Sequence, residues 1–242
     1  MPGPVAGMLG MSAVHLAIVI AGIGAFEALR PALETGRLLA LGMAAAMAAT
    51  IGTLLWVTGK RTFGHDRFGA ANCVTYLRGS LSCIIALPLA APATLADPAV
   101  GWAVFATGLL ALSLDGVDGW LARRDGLSSA FGARFDMEID AVLALVLALL
   151  AWQGGAAGPL VLILGLARYA FLVASWALPW LGAPLPPSLL RKTICVIQLG
   201  TLLALHAPIL PETLGAVAAI VAAALLAFSF GRDILWLSRR GR

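Results

Sequence analysis

The sequence predicts an all-α polytopic membrane protein: eight spans, arranged as a six-helix core preceded by two extra transmembrane helices. Three observations carry this. Hydrophobic residues make up 61% of the 242 residues and charged residues only 12%, where a soluble domain carries about 25% charged residues. Mean hydropathy is +0.96. Eight apolar runs approach or exceed the roughly 20 residues that cross a bilayer as a helix. An ordinary soluble globule is excluded, because so few charges cannot cover its surface. A disordered chain is excluded too, since it needs low hydrophobicity and high charge.

The runs lie at about 5–27, 37–58, 72–92, 98–121, 135–153, 157–179, 190–207 and 211–231. Helix breakers punctuate them: Pro31 and Gly36, Pro92 and Pro98, Gly154 and Gly155, Pro208 and Pro211. The first run has neither a basic leader nor a clear small-residue cleavage site, so it is expected to stay as a helix. A polar stretch from Lys60 to Gly69 separates the first two runs from the rest. The expected organisation is an N-terminal helix pair at 1–58, a cytoplasmic connector at 59–71 and a core at 72–242.

Formal net charge is +4. Its distribution argues for membrane topology rather than nucleic acid, since no long Lys/Arg cluster or aromatic-basic repeat occurs. Lys60, Arg61 and Arg67 share one connector, and Arg123, Arg124 and Arg134 surround another. Arg191 and Lys192 close a third, and Arg232, Arg239, Arg240 and Arg242 form the tail. In an eight-span alternation all four regions face one side, so both termini are expected to be cytoplasmic. Arg30, Glu34 and Arg37 are a mild exception on the far side. Cys73, Cys83 and Cys195 lack metal-ligand spacing and read as small core residues. His15, His65 and His206 are scattered and suggest no ligand set.

Acidic residues are concentrated in one place. Six of the 12 (Asp115, Asp118, Asp125, Asp136, Glu138 and Asp140) fall within 26 positions. Asp115 and Asp118 end one apolar run, while Asp136 and Asp140 begin the next. Spacings of three and four put each pair on one helix face. A tight hairpin then gathers four carboxylates just inside the membrane boundary. On insertion scales an Asp at mid-membrane costs roughly 2.5–3.5 kcal/mol, and crowded carboxylates repel. A divalent cation relieves both penalties. With no His or Cys nearby, the ligand set favours a hard ion, Mg²⁺ or Mn²⁺. Four Asp can hold two such ions, the usual arrangement for in-line displacement at phosphorus. Asp125 and Glu138 read as solvated loop charges.

The segment Asp115-Gly116-Val117-Asp118-Gly119-Trp120-Leu121-Ala122-Arg123, then eight residues, Gly132, Asp136 and Asp140, resembles the signature of the CDP-alcohol phosphotransferase family. That signature reads D-x2-D-G-x2-A-R-x8-G-x3-D-x3-D, and every fixed position is present. The resemblance is expected to cover about 70–235 and to leave out the first two runs. It implies an integral membrane enzyme that transfers the phosphoalcohol or phosphatidyl group of a CDP-alcohol to an acceptor hydroxyl and releases CMP. Carried over residue by residue, it makes Asp115, Asp118 and Asp136 metal ligands. Asp140 becomes the general base and a further metal contact. Gly119, Ala122 and Gly132 would admit the cytidine nucleotide, and Arg123 would contact it near the phosphates. For Gly119 and Ala122, helix packing is the alternative; for Arg123, it is a positive-inside anchor. The resemblance also implies a homodimer.

Asn72, Thr75 and Arg78 follow an N-x2-T-x2-R pattern similar to the start of the family core. The same resemblance suggests nucleotide contact for all three, with helix capping as the alternative for Asn72 and snorkelling for Arg78. Arg168 sits near the middle of an apolar run, where a cation needs an acid, water or a ligand. With Arg191 and Lys192 it is a candidate pocket for an acceptor's phosphate. A structural ion pair and topology anchors are the alternative.

The expected function is metal-dependent transfer from a CDP-alcohol lipid, CDP-diacylglycerol above all, to a small hydroxylated acceptor in phospholipid synthesis. A phosphorylated polyol such as glycerol-3-phosphate or inositol phosphate is the preferred acceptor. Inositol, serine or an amino alcohol is the alternative. Phosphatidylcholine synthases also have extra spans, but their signature has a longer gap between Arg and Gly. The rival of a different class is a cation transporter, which would not require Gly119, Ala122, Arg123 and Gly132 at these spacings. The expected location is a bacterial inner (cytoplasmic) membrane, with the active site cytoplasmic and membrane lipids as surroundings.

Overall fold

A computed structural model describes residues 4–63 and 68–240, with side chains described for 6–51 and 68–239. Among the described residues there are eight α-helices and no strand: α1 (Pro4–Leu29), α2 (Arg37–Phe63), α3 (Ala70–Ile85), α4 (Pro98–Arg124), α5 (Ala130–Gln153), α6 (Leu162–Ala177), α7 (Leu189–Ala204) and α8 (Glu212–Arg240). Each apolar run of the sequence corresponds to one helix. Short 3-10 turns with a proline in their first positions join several of them.

Six of the eight are long and apolar enough to cross a membrane, which makes this an integral membrane protein. The other two are α5, with Asp136, Glu138 and Asp140 in its first half, and α7, with only 16 residues. Two helices outrun their apolar stretches. No proline interrupts 37–63, so α2 continues past 58 and Lys60 and Arg61 lie on helical backbone. Arg67 lies outside the described residues. Charge does not break a helix, so α8 carries Arg232, Asp233 and Arg239. Large apolar side chains stay exposed on α1, α4 and α8, among them Ile20, Leu110 and Val217, as on helices surrounded by acyl chains.

The chain divides into two compact units, Met1–Leu143 and Ala144–Arg242. In the first, Met8, Ile51, Phe68, Tyr76, Phe131, Phe135 and Ile139 form one buried cluster. It draws on α1, α2, α3 and α5. In the second, α6 approaches α5 closely at Gly165: a Cβ there would sit 2.9 Å from the Leu145 Cα. His206 is buried and its Nε2 lies 3.1 Å from the Leu147 carbonyl.

Candidate active site

The α4–α5 hairpin is built by local rules. Asp97 caps α4, its Oδ1 accepting from Ala99 N–H at 2.9 Å, with Pro98 in the first turn. Capping and the Arg30 partner hold the Asp97 carboxyl below its usual range. At the other end Gly126 takes φ +64°. Its N–H donates to Arg123 O at 3.4 Å, and Leu127 N–H to Ala122 O at 3.1 Å. This pair of bonds is the Schellman stop, and its left-handed position suits glycine. Ser129 then caps α5, accepting from Gly132 N–H at 3.0 Å. Five residues, 125–129, thus reverse the chain. Asp136 and Asp140 return beside Asp115 and Asp118.

The third contributor is α3. It starts at Gly69, whose φ is +80°. Its Arg78 side chain is fully buried, and the guanidinium makes four hydrogen bonds and one further ion pair. Nη1 donates to Asp118 Oδ2 at 2.8 Å and to Asp136. Nη2 pairs with Asp115 Oδ1 at 2.9 Å and with Asp140. Nε donates to the Ala111 carbonyl at 3.1 Å. Thr75 Oγ1 stands 3.0 Å from Asp118 Oδ2. Asp118 is therefore the floor of the cluster, while the Asp115 and Asp136 side chains are each 38% exposed.

Four carboxyl groups face one guanidinium, so full ionisation would leave three negative charges in excess. Asp115, Asp118 and Asp136 each offer an oxygen, all within 4.8 Å of one another. A donor set made only of carboxylate oxygens suits Mg²⁺ or Mn²⁺, so these residues fit a divalent cation.

Gly119 follows Asp118 on α4, and Gly132 lies one turn before Asp136 on α5. A Cβ at Gly119 would meet only the end of Arg123, 3.3 Å from Nη1. A Cβ at Gly132 would lie 3.1 Å from Asn72 Oδ1, so the starts of α3 and α5 are close. Asn72 is not the N-cap of α3; its Nδ2 donates to the Phe68 carbonyl. The Ala122 carbonyl takes the Leu127 N–H and, at 3.3 Å, the Ser128 hydroxyl. Arg123 is exposed in the last turn of α4.

Arg168, Arg191 and Lys192 belong to the second unit. Arg168 is half-buried in α6, and Lys192 is exposed in the first turn of α7. Arg191 Nε donates to the buried Asp233 at 2.9 Å. Arg232 joins this group, its Nη2 3.0 Å from Ser188 Oγ. Asp233 and Arg232 escaped the sequence reading, which took the basic tail only as a topology signal. The central place of Arg78 escaped it as well, although an Arg inside an apolar run was a visible sign.

The family model for CDP-alcohol phosphatidyltransferase matches residues 68–230. No curated protein and no solved structure matches the chain at a significant level. The matched segment runs from the residue before Gly69 into α8 and contains the whole carboxylate cluster with its Arg78 and Thr75 partners. On this match the chain belongs to the CDP-alcohol phosphatidyltransferase family.

Proposed function

We propose that this protein transfers the phosphatidyl group of CDP-diacylglycerol to a hydroxyl of a phosphorylated polyol, releasing CMP. The observation that carries the reading is the convergence of Asp115, Asp118, Asp136 and Asp140 on Arg78 inside the matched segment.

In the proposed reaction Asp115, Asp118 and Asp136 hold the divalent cation, with Asp140 as a further contact. When bound, Mg²⁺ or Mn²⁺ supplies positive charge against the negative charge that builds on the diphosphate oxygens. Asp140 accepts the proton of the acceptor hydroxyl as its oxygen bonds to the β-phosphorus of the CDP group. The bond from that phosphorus to the bridging oxygen breaks, and CMP leaves with the bonding electrons. Gly119, Ala122 and Gly132 leave room for the nucleotide, with Asn72, Thr75, Arg78 and Arg123 around it. Arg78 also holds the four carboxylates in register.

Arg168, Arg191 and Lys192 support the phosphorylated acceptor, since a phosphate dianion needs cationic partners. The Arg191–Asp233 pair fixes one guanidinium but also spends part of its charge. That favours testing inositol, serine and amino alcohols beside glycerol-3-phosphate and inositol phosphate. The proposal includes a catalytic core at 72–242 behind an N-terminal pair at 1–58, a homodimer, a bacterial inner membrane and a cytoplasmic site.

The test is CMP release by the purified protein in lipid, with CDP-diacylglycerol and each acceptor in turn. Chelation should abolish release, and Mg²⁺ or Mn²⁺ should restore it. No CMP with any acceptor, and no binding of a CDP-alcohol, would end the proposal. Metal-gradient-driven ion flux in the same vesicles would favour the transporter instead.

A further inference from the structure

The family match begins at residue 68 and leaves α1 and α2 outside. Their contacts nevertheless lie directly behind the carboxylate site. On α3, Thr75 and Arg78 face the carboxylates, and Tyr76 and Ser80 face α1. Ser12 Oγ is 3.0 Å from Tyr76 OH. His15 Nδ1 is 2.5 Å from Ser80 Oγ, and His15 Nε2 is 3.3 Å from the Ala44 carbonyl of α2. A carbonyl can only accept, so Nε2 is the donor to Ala44, and the single Ser80 hydroxyl proton is shared between His15 Nδ1 and the Tyr76 carbonyl at 3.1 Å. One buried imidazole therefore joins three helices.

The apolar contacts run the same way. A Cβ at Gly79 would meet Met47 Cε of α2 at 2.8 Å and Ile139 Cδ1 of α5 at 3.0 Å. A Cβ at Gly7 of α1 would lie 2.8 Å from Phe68 Cβ. Met8 and Ile51 share the buried cluster with Phe135 and Ile139, the chain neighbours of Asp136 and Asp140. The N-terminal pair thus backs α3, which brings Arg78 and Thr75, and α5, which brings two of the carboxylates.

We infer that His15 is a positioning residue for the carboxylate site, and that α1 and α2 set the spacing of α3 and α5 on which cation binding depends. The inference rests on the proposed metal reading of that site. The imidazole is the right group for the role because it offers one donor and one acceptor on a rigid ring. It meets a backbone carbonyl of α2 and a hydroxyl of α3 at once, tying the two helices through one buried ring.

The experiment uses the full chain in lipid and measures Mn²⁺ affinity by electron paramagnetic resonance, together with thermal midpoint and steady-state kinetics. His15→Phe keeps the volume and removes both hydrogen bonds. It should weaken Mn²⁺ binding about fivefold and lower kcat by a similar factor. KM for the CDP-alcohol should stay within about twofold. His15→Gln, which again offers a donor and an acceptor, should recover most of the loss. Ser80→Ala, which leaves the His15 bond to Ala44 in place, should weaken Mn²⁺ binding in the same direction by a smaller factor, and the double variant should be no worse than His15→Phe. If His15→Phe does not fold, Ser80→Ala, the smaller change, carries the test. Unchanged Mn²⁺ affinity in Ser80→Ala and in a folded His15→Phe overturns the positioning role alone. Wild-type protein that binds no Mn²⁺ overturns the metal reading, and this inference with it.

Discussion

Arg78 Nε donates to the carbonyl of Ala111 at 3.1 Å, one turn before Asp115 on the same helix. That bond fixes the plane of the guanidinium from behind. Nη1 and Nη2 can then face four carboxylates on two helices. Lysine has neither the plane nor the fork.

Arg78→Met should therefore leave four carboxylates facing one another without a counter-charge. Removing one partner of a buried pair costs about 3–5 kcal/mol. The expected result is a lower thermal midpoint in chelator, recovered in part by Mg²⁺ through binding linkage. Arg78→Lys should fall between the two. A melting series with and without Mg²⁺ checks both.

Asp140→Asn keeps the shape and removes the proton acceptor. Turnover should drop by about 10²–10⁴, the usual range for a lost general base. Binding of CDP-diacylglycerol should be largely retained. Direct binding and CMP release, measured on one preparation, separate the two effects. Lost binding with turnover intact would count against the base assignment.

Gly119→Ala tests the proposed nucleotide contact without testing the fold. The added methyl meets only the mobile end of Arg123, so the melting temperature should barely change. A raised KM for the CDP-alcohol, by about tenfold on the scale of one misplaced methyl in a tight site, is the expected outcome. An unchanged KM would count against a nucleotide role for Gly119.

Ser129→Ala removes the α5 cap, at a cost of about 1 kcal/mol. Gly126→Ala forces a left-handed residue to carry a Cβ, at roughly 1–2 kcal/mol. Both should lower stability, and both should lower kcat more than they change KM, because the hairpin aims Asp136 and Asp140. Chemical denaturation and kinetics on the two variants check this.

Asp97 gives a pH signature at the opposite end of α4. Its carboxyl is held below the usual range, first by the Ala99 N–H and then by Arg30. A depressed value in the fold adds stability above the unfolded value, and that stability is lost as pH falls through the folded one. Melting from pH 6 to pH 3 should fall more in the wild type than in Asp97→Asn, which caps without titrating.

Much of the site was legible in the sequence because it is local. Asp115, Asp118, Asp136 and Asp140 lie on two consecutive helices with a short connector, and helical spacing alone pairs them. The eight helices were legible for a similar reason, since apolar length is a one-dimensional property. Arg78 was legible as an oddity and not as a centre. Its aim depends on how α3 packs on α4, and spacing does not encode packing. His15 showed no partner in the sequence, because Ser80 and Ala44 are 65 and 29 positions away. The Arg191–Asp233 pair, 42 positions apart, was hidden for the same reason.

The two caps of the α4–α5 connector have one more consequence. With Gly126 ending one helix and Ser129 starting the next, the connector has almost no slack, and the count of residues from Ser129 to Asp136 becomes an angular setting. Each residue of α-helix is a rotation of about 100°. One residue inserted between Ser129 and Asp136 would swing both carboxylates of α5 a quarter-turn or more off the cluster, with every side chain of the site still present. The hairpin works as a dial with a single productive position, and chain length there matters as much as the identity of the aspartates.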